Sequence, residues 1–377
     1  VGFRQGTLED LGLTMQPRDV NPNFWTGKRV LVTGHTGFKG AWLTLWLNQM
    51  GAEVTGVSLL PDSTPNLWDL SGQSDVEHHQ IDIRDRSALI NVVQGTKPDI
   101  VLHLAAQSLV RRSYQDPAGT FATNVMGTVH LLEAIAAAKT VQACVIVSSD
   151  KCYENREDGR SFVETDPMGG LDPYSGSKGC TELATQAMRH SFFAPYAQGG
   201  HPCRIASARA GNVIGGGDWS EDRLVPDIIR GCLGDEGRVE IRSPNAVRPW
   251  QHVLEPLRGY LMLAEGLYAQ HDGHDSGWNF GPDQSDERPV IDVAQALTSA
   301  LGQGRIEIDM PEDAPYESTT LRLDSSRARQ IGWAPKLNFE ETIRMVADWY
   351  AGWSRGDDVT ALCLSQINDY QNRGSKV

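Results

Sequence analysis

Tyr174 and Lys178 stand four residues apart in Tyr-Ser-Gly-Ser-Lys, an interval that puts both side chains on one face of a helix. A lysine ammonium beside a phenol stabilises the phenolate, so a group with a reference pKa of about 10 becomes a base closer to neutrality. Upstream, Ser149 ends the apolar run Val145-Ile146-Val147-Ser148, where its hydroxyl can bond the same substrate oxygen. Ser149, Tyr174 and Lys178 together predict proton and hydride transfer at a carbinol.

Ser149 is followed by Asp150 and Lys151. An acid and a base at the carboxyl end of a buried strand sit where open α/β sheets bind ligands. The plainer reading is a surface turn with a solvated ion pair worth about 0–1 kcal/mol. The functional reading is preferred because the pair abuts Ser149, and Asp150 is expected to protonate a leaving hydroxyl. Arg209, Asn212 and Arg248 are candidates for the substrate side, since arginine forks grip diphosphates; taken singly, each arginine reads equally as a surface residue.

Hydride chemistry needs a carrier. Gly34, Gly37 and Gly40 form G-x-x-G-x-x-G behind Arg29-Val30-Leu31-Val32, the strand-to-helix context of a dinucleotide loop. Thr36 and Phe38 belong to the same loop. The diphosphate of NAD is expected at the helix N-terminus. An acid normally reads the ribose after the second strand; here Ser58 takes that place, which favours NAD over NADP only moderately. Asp82 and Ile83 are placed for an adenine contact, or Asp82 is an ordinary strand-end turn residue. Leu104, Ala105 and Ala106 are small enough for backbone to approach a cofactor, or are plain packing.

These groups must be held by a scaffold of alternating elements. Strands are expected at Arg29 to Val32, Glu53 to Val57, Val76 to Ile81, Ile100 to His103, Ala143 to Ser148 and Arg204 to Ala208. Helices are expected at Phe38 to Met50, Arg86 to Gln94, Pro117 to Ala138 and Pro173 to Phe193. The alternation implies an α/β Rossmann-type doubly wound parallel sheet. Past Gly211 the pattern changes, and the chain returns to the first domain at Val253 to Leu267 and Trp278 to Phe280. The division reads as residues 21–212 plus 250–282 for the NAD-binding domain and 213–249 plus 283–365 for a smaller substrate domain. Residues 1–20 read as a loosely held extension.

At 377 residues the chain can bury a large core. A net charge of −14 argues against nucleic acid or an anionic membrane as partner. Six scattered cysteines without a C-x-x-C read as free thiols in a reducing compartment. No apolar stretch approaches a membrane span, so the cytoplasm is the expected location. The histidines lack ligand spacing; His78 and His79 read as solvated, and no metal is expected.

Gly-His-Thr-Gly-Phe-Lys-Gly, Ser-Asp-Lys-Cys-Tyr-Glu (Ser149 to Glu154), Arg-Ala-Gly-Asn-Val-Ile-Gly-Gly-Gly-Asp-Trp (Arg209 to Trp219) and Arg-Pro-Trp-Gln-His-Val (Arg248 to Val253) resemble the extended short-chain dehydrogenase/reductases. Within them the chain is similar to the nucleotide-sugar 4,6-dehydratases over about Phe24 to Trp353, and to the branch acting on CDP-glucose rather than its dTDP or GDP relatives. The resemblance implies NAD-dependent oxidation at C4, loss of water across C5 and C6 with Asp150 as acid, and hydride return to C6. Relatives acting on dTDP-sugars carry Thr-Asp-Glu where this chain has Ser149-Asp150-Lys151, which leaves the C5 base open. The missing acid at Ser58 fits the CDP branch and implies looser NAD binding. The resemblance also implies a homodimer, or a dimer of dimers, through the helices Pro117 to Ala138 and Pro173 to Phe193, and products that feed deoxysugar synthesis for cell-surface polysaccharide such as lipopolysaccharide O antigen. The alternatives are a 4-epimerase of the same superfamily, which needs no acid toward C6, and an NAD-binding protein without turnover, which needs none of Ser149, Tyr174 and Lys178.

Overall fold

In β1 (Arg29–Thr33) Val30 and Val32 join the cluster that holds Trp42 and Trp46, while Leu31 joins the opposite cluster with Leu131 and Ile135. Successive side chains point to opposite faces of a strand, so this sheet is apolar on both sides and must be covered by helices on both. The computed structural model describes residues 18–193, 200–309 and 320–374. β2 (Glu53–Ser58), β3 (Glu77–Gln80), β4 (Ile100–His103), β5 (Ala143–Val147) and β6 (Arg204–Ala210) follow in order. With the late strand Gly277–Phe280 they form a seven-stranded sheet in the order Gly277–Phe280, β6, β5, β4, β1, β2, β3. Every pairing is parallel. The chain order reverses between β1 and β4, which opens the crevice characteristic of doubly wound sheets at the strands' carboxyl ends.

Two helices expected as continuous are interrupted. The first runs Pro117–Phe121, widens into a π turn at Ala122–Met126 and resumes over Gly127–Ala137. The second runs Pro173–Met188 and ends in a π turn at Arg189–Phe193. Such turns are frequent at functional sites, and the first one carries Asn124. Its side-chain oxygen accepts from Gln107 N at 2.8 Å, while its amide donates to Gln107 O at 3.0 Å and to Ser177 Oγ at 2.8 Å. One buried side chain thereby ties the loop after β4 to the helix of Tyr174.

Beyond β6 the chain makes short two-stranded ladders, Val213–Ile214 with Gln251–His252, Val247–Arg248 with Arg288–Pro289, and Arg238–Ile241 with Arg305–Ile308. Between them the helix Leu254–Tyr268 is buried along nearly its whole length and lies against β5 and β6. Of the N-terminal extension, residues 1–17 lie outside the described residues. Residues 18–20 are not loose: Val20 is buried, and Arg18 donates to Glu265 at 3.2 Å. Among the described residues no helix is long and apolar enough to cross a membrane.

Candidate active site

The glycine loop leaves β1 at the crevice. Gly34 has φ +75°, and a Cβ there would lie 2.7 Å from Ala105 N; at Gly40 it would lie 2.1 Å from Gly34 O. Both glycines are therefore required by the protein's own packing. Gly37 is different, because a Cβ there would meet only Gly34 O at 3.4 Å. Gly37 caps the helix Phe38–Gln49 without a side-chain bond, so free N–H groups face an open approach, as a diphosphate requires. These residues fit NAD. Phe38 is half-buried at the start of that helix.

Ser58 is buried with its Oγ 2.8 Å from Thr36 Oγ1, and Thr36 in turn donates to Leu59 O at 2.9 Å. The end of β2 is thus tied to the glycine loop. Leu104 N donates to Thr33 O and Ala105 N to Thr33 Oγ1 at 3.2 Å, which brings the loop holding Ala106 against β1. Ile83 is buried, and it fills the space beside Gly127. Asp82 accepts from the backbone and guanidinium of Arg84, which hold its carboxyl below the usual range. It forms the strand-end turn weighed above.

On the opposite wall, Ser149 caps a tight turn, Asp150–Cys152, and accepts from Lys151 N at 3.2 Å. Its hydroxyl donates to Asp150 Oδ1 at 3.0 Å and draws the Tyr174 phenol pKa down. Asp150 is buried, and its Oδ2 has no hydrogen-bond partner among the described residues. Burial pushes this carboxyl up, against the pull of Lys151, Ser149, Arg248 and Lys39. Lys151 forms no ion pair with any described residue; it opens with Asn155, Asp172 and Ser175 onto a small polar cavity. Arg248 is buried, with Nη1 on Val247 O at 2.9 Å. Asn212 is half-buried beside it, its carbonyl accepting from Gln251 N.

Asp172 and Pro173 start the helix that carries Tyr174, Lys178 and Glu182 on its buried face. Burial raises the Tyr174 phenol to about 12, offset in part by Ser149 and Arg223. Burial lowers Lys178 to about 8, with Glu182 opposing, and Nζ lies 3.4 Å from Val147 O. Ser149 and Arg223 pull the phenol down while Asp150 and Asp172 push it up; the help expected of Lys178 is not among these influences.

Arg209 is also corrected. Its guanidinium is buried and all its nitrogens are committed: Nε and Nη2 to Glu182 at 2.9 and 2.8 Å, Nη1 to Tyr153 Oη at 2.5 Å and to Glu164 O at 3.2 Å. Nothing is left to grip a diphosphate. His78 is not simply solvated, because its Nδ1 lies 2.8 Å from Nε2 of buried His35. His35 occupies the space that Gly56 leaves on β2, and burial lowers it to about 4. Lys39 is half-buried beside Asp150, Lys178 and Arg223, and burial with these cations lowers it to about 7. The sequence signal for Lys39 is a cation inside the glycine loop.

The model of the GDP-mannose 4,6 dehydratase family matches residues 31–346. CDP-glucose 4,6-dehydratase of Salmonella typhimurium is 47% identical over 94% of this chain and 99% of its own. Among solved structures, an epimerase from Methanothermobacter thermautotrophicus superimposes with a TM-score of 0.76 at 24% identity, covering 89% of this chain and 95% of that one. A dTDP-glucose 4,6-dehydratase from Streptomyces venezuelae, solved with NAD bound, gives 0.72 at 24% identity, covering 88% and 99%. These two likenesses concern the fold alone.

Proposed function

Because this chain belongs to the GDP-mannose 4,6 dehydratase family, we propose that it is an NAD-dependent lyase converting CDP-glucose to CDP-4-keto-6-deoxyglucose and water. NAD, when bound, supplies the hydride acceptor for C4 and later the hydride donor for C6. The rest falls to this chain's own groups. Ser149 holds the C4 oxygen, and Tyr174 takes its proton. Burial raises the Tyr174 phenol, and Lys178, one helical turn away, and Arg223 are the proposed cations that favour its base form. Once C4 is a ketone, the C5 proton is acidic. Lys151, half-buried and without an ion pair among the described residues, is the group proposed to help take it. Asp150 donates its proton to the C6 hydroxyl, which leaves as water, and C5 is reprotonated at the end.

The observation that carries this reading is the state of Asp150. A buried carboxyl whose charged form is disfavoured by burial, with one oxygen unpartnered among the described residues, suits the expulsion of hydroxide; C4 oxidation alone needs no such acid. Arg248 and Asn212 are the proposed grip on the nucleotide diphosphate. The exposed Phe121, Met126 and Leu183, on the two interrupted helices, are proposed to pair with a second copy. The product class places the enzyme before transaminases or reductases that act on 4-keto sugars for surface polysaccharide.

Incubation with CDP-glucose and NAD, followed by mass analysis, tests the reaction. Loss of one water's mass is expected, and an unchanged mass would favour an epimerase or a binder. Tyr174→Phe should keep substrate binding and lose C4 oxidation; near-normal turnover would remove Tyr174 from the scheme.

A further inference from the structure

Beneath the reacting groups lies a buried polar network that the steps above do not use. Glu182 follows Lys178 by one turn on the same helix. Its carboxylate accepts from Ser207 Oγ at 2.6 Å, from Nε and Nη2 of Arg209, and from Ser148 Oγ. Arg209 Nη1 donates onward to Tyr153 Oη, which donates to Asn279 Oδ1 at 2.7 Å. Asn279 is itself fixed by donating to the carbonyls of Phe162 and Asp324 at 2.9 and 3.2 Å. The guanidinium also sits over the Tyr153 ring, 5.0 Å from its centroid.

The two ends of this network matter. Ser148 immediately precedes Ser149, and Tyr153 immediately follows the turn Asp150–Cys152. We propose that the Glu182–Arg209 ion pair is a positioning device for the reaction, clamping both ends of the catalytic turn and so fixing the aim of Asp150 and Lys151. The proposal rests on the assignment of Ser149, Asp150, Lys151, Tyr174 and Lys178 as the reacting set. Its physical basis is rigidity: a fully bonded buried pair has discrete geometry and adds side-chain anchors at both ends of a turn otherwise held by the Ser149 cap and the backbone bond of Gly169 N to Cys152 O at 2.8 Å. Because the same carboxylate faces Lys178, the pair also acts on that ammonium. The charged and titratable groups facing Lys178 are Glu182 on its own helix, Cys152 in the turn, Lys39 on the glycine-loop helix and His103 on β4. Of these, Glu182 contributes most to keeping Lys178 protonated.

Ser148→Ala and Tyr153→Phe each remove one hydroxyl of the clamp, and neither residue belongs to the reacting set. Each should lower kcat by on the order of tenfold to a hundredfold, as misplacement of reacting groups does, while KM for CDP-glucose stays within about twofold. Glu182→Gln should in addition move the alkaline limb of the kcat profile to lower pH, since loss of the carboxylate lets Lys178 deprotonate earlier. Tyr153→Phe should leave that limb in place. Melting curves confirm that each variant is folded, and if Glu182→Gln does not fold, the two hydroxyl variants decide. Wild-type kcat in both folded hydroxyl variants would overturn the proposal. Tyr174→Phe is measured alongside: if it is inactive while the clamp variants are normal, the clamp fails and the reacting set stands. An active Tyr174→Phe would instead sink the reacting set itself.

Discussion

Asp150 and Glu182 are both buried carboxylates flanking the end of β5, yet the protein treats them oppositely. Asp150 receives one hydroxyl on one oxygen and nothing on the other, and burial pushes it up despite three nearby cations. Glu182 receives Ser148, Ser207 and two nitrogens of Arg209, and Arg209 together with these bonds holds it below the usual range although it is just as buried. Depth is the same in both regions; the supply of donors differs. Hydrogen bonds on both oxygens favour the charged form of a buried carboxyl, and burial with one oxygen left short favours the protonated form. The site obtains a structural anion and a chemical acid from the same functional group by rationing donors.

The largest effect should come from removing the acid. Asp150→Asn cannot protonate the C6 hydroxyl, so turnover should fall by about 10²–10⁴-fold, the usual contribution of a general acid. C4 oxidation should survive, and reduced nicotinamide bound to the enzyme should build up in a single turnover. Retained dehydration would show that the comparison misplaces the acid.

Removing the structural anion should act on stability as well as on the aim of the catalytic turn. Glu182→Ala leaves Arg209 as an unpaired buried charge, a loss of about 3–5 kcal/mol when one partner of a buried pair is deleted. Urea titration measures it, and a change below about 1 kcal/mol would mean that the pair behaves like a surface one.

The smallest effect has the opposite sign and separates the two groups most sharply. Asp150 has a raised folded-state pKa, so the native protein binds this proton more tightly than the unfolded chain, which releases it above about pH 4. Its contribution therefore falls as pH rises from there through the folded value. Asp150→Asn removes that penalty and should raise stability, and with it Tm, toward neutral pH. Glu182 has a lowered folded-state pKa, so its contribution is complete above its unfolded pKa of about 4.3 and is lost as pH falls through the folded value. Melting temperatures of wild type and the Asn variant from pH 4 to 8 should thus diverge upward; parallel curves would equate the two environments.

How much of this was readable follows from the range of each interaction. Gly34, Gly37 and Gly40, Tyr174 with Lys178, and the apolar strands are local patterns with fixed periods, so their elements could be placed from sequence. Arg209 was misread because its partner lies on another element and its type is equally suited to a diphosphate; only tertiary packing decides between them. The π turn at Asn124 was invisible for a related reason, since an extra residue in a helical turn is set by what the side chain must reach. Lys178 shows a third limit. Its spacing to Tyr174 is a local pattern, but the burial that shifts both groups has no sequence signature.

The strand Gly277–Phe280 enters the sheet beside β6 long after the other six strands have been made, and its Asn279 receives the hydroxyl of Tyr153 across a separation of 126 residues. A chain emerging from the ribosome can pair β1 to β6 while still carrying an open edge on β6 and an unanchored tyrosine next to the catalytic turn. Unpaired edges are templates for association with other chains. Synthesis through Phe280 is therefore a checkpoint in biogenesis: nascent chains arrested before it should be protease-sensitive around Tyr153, and those arrested after it should be protected.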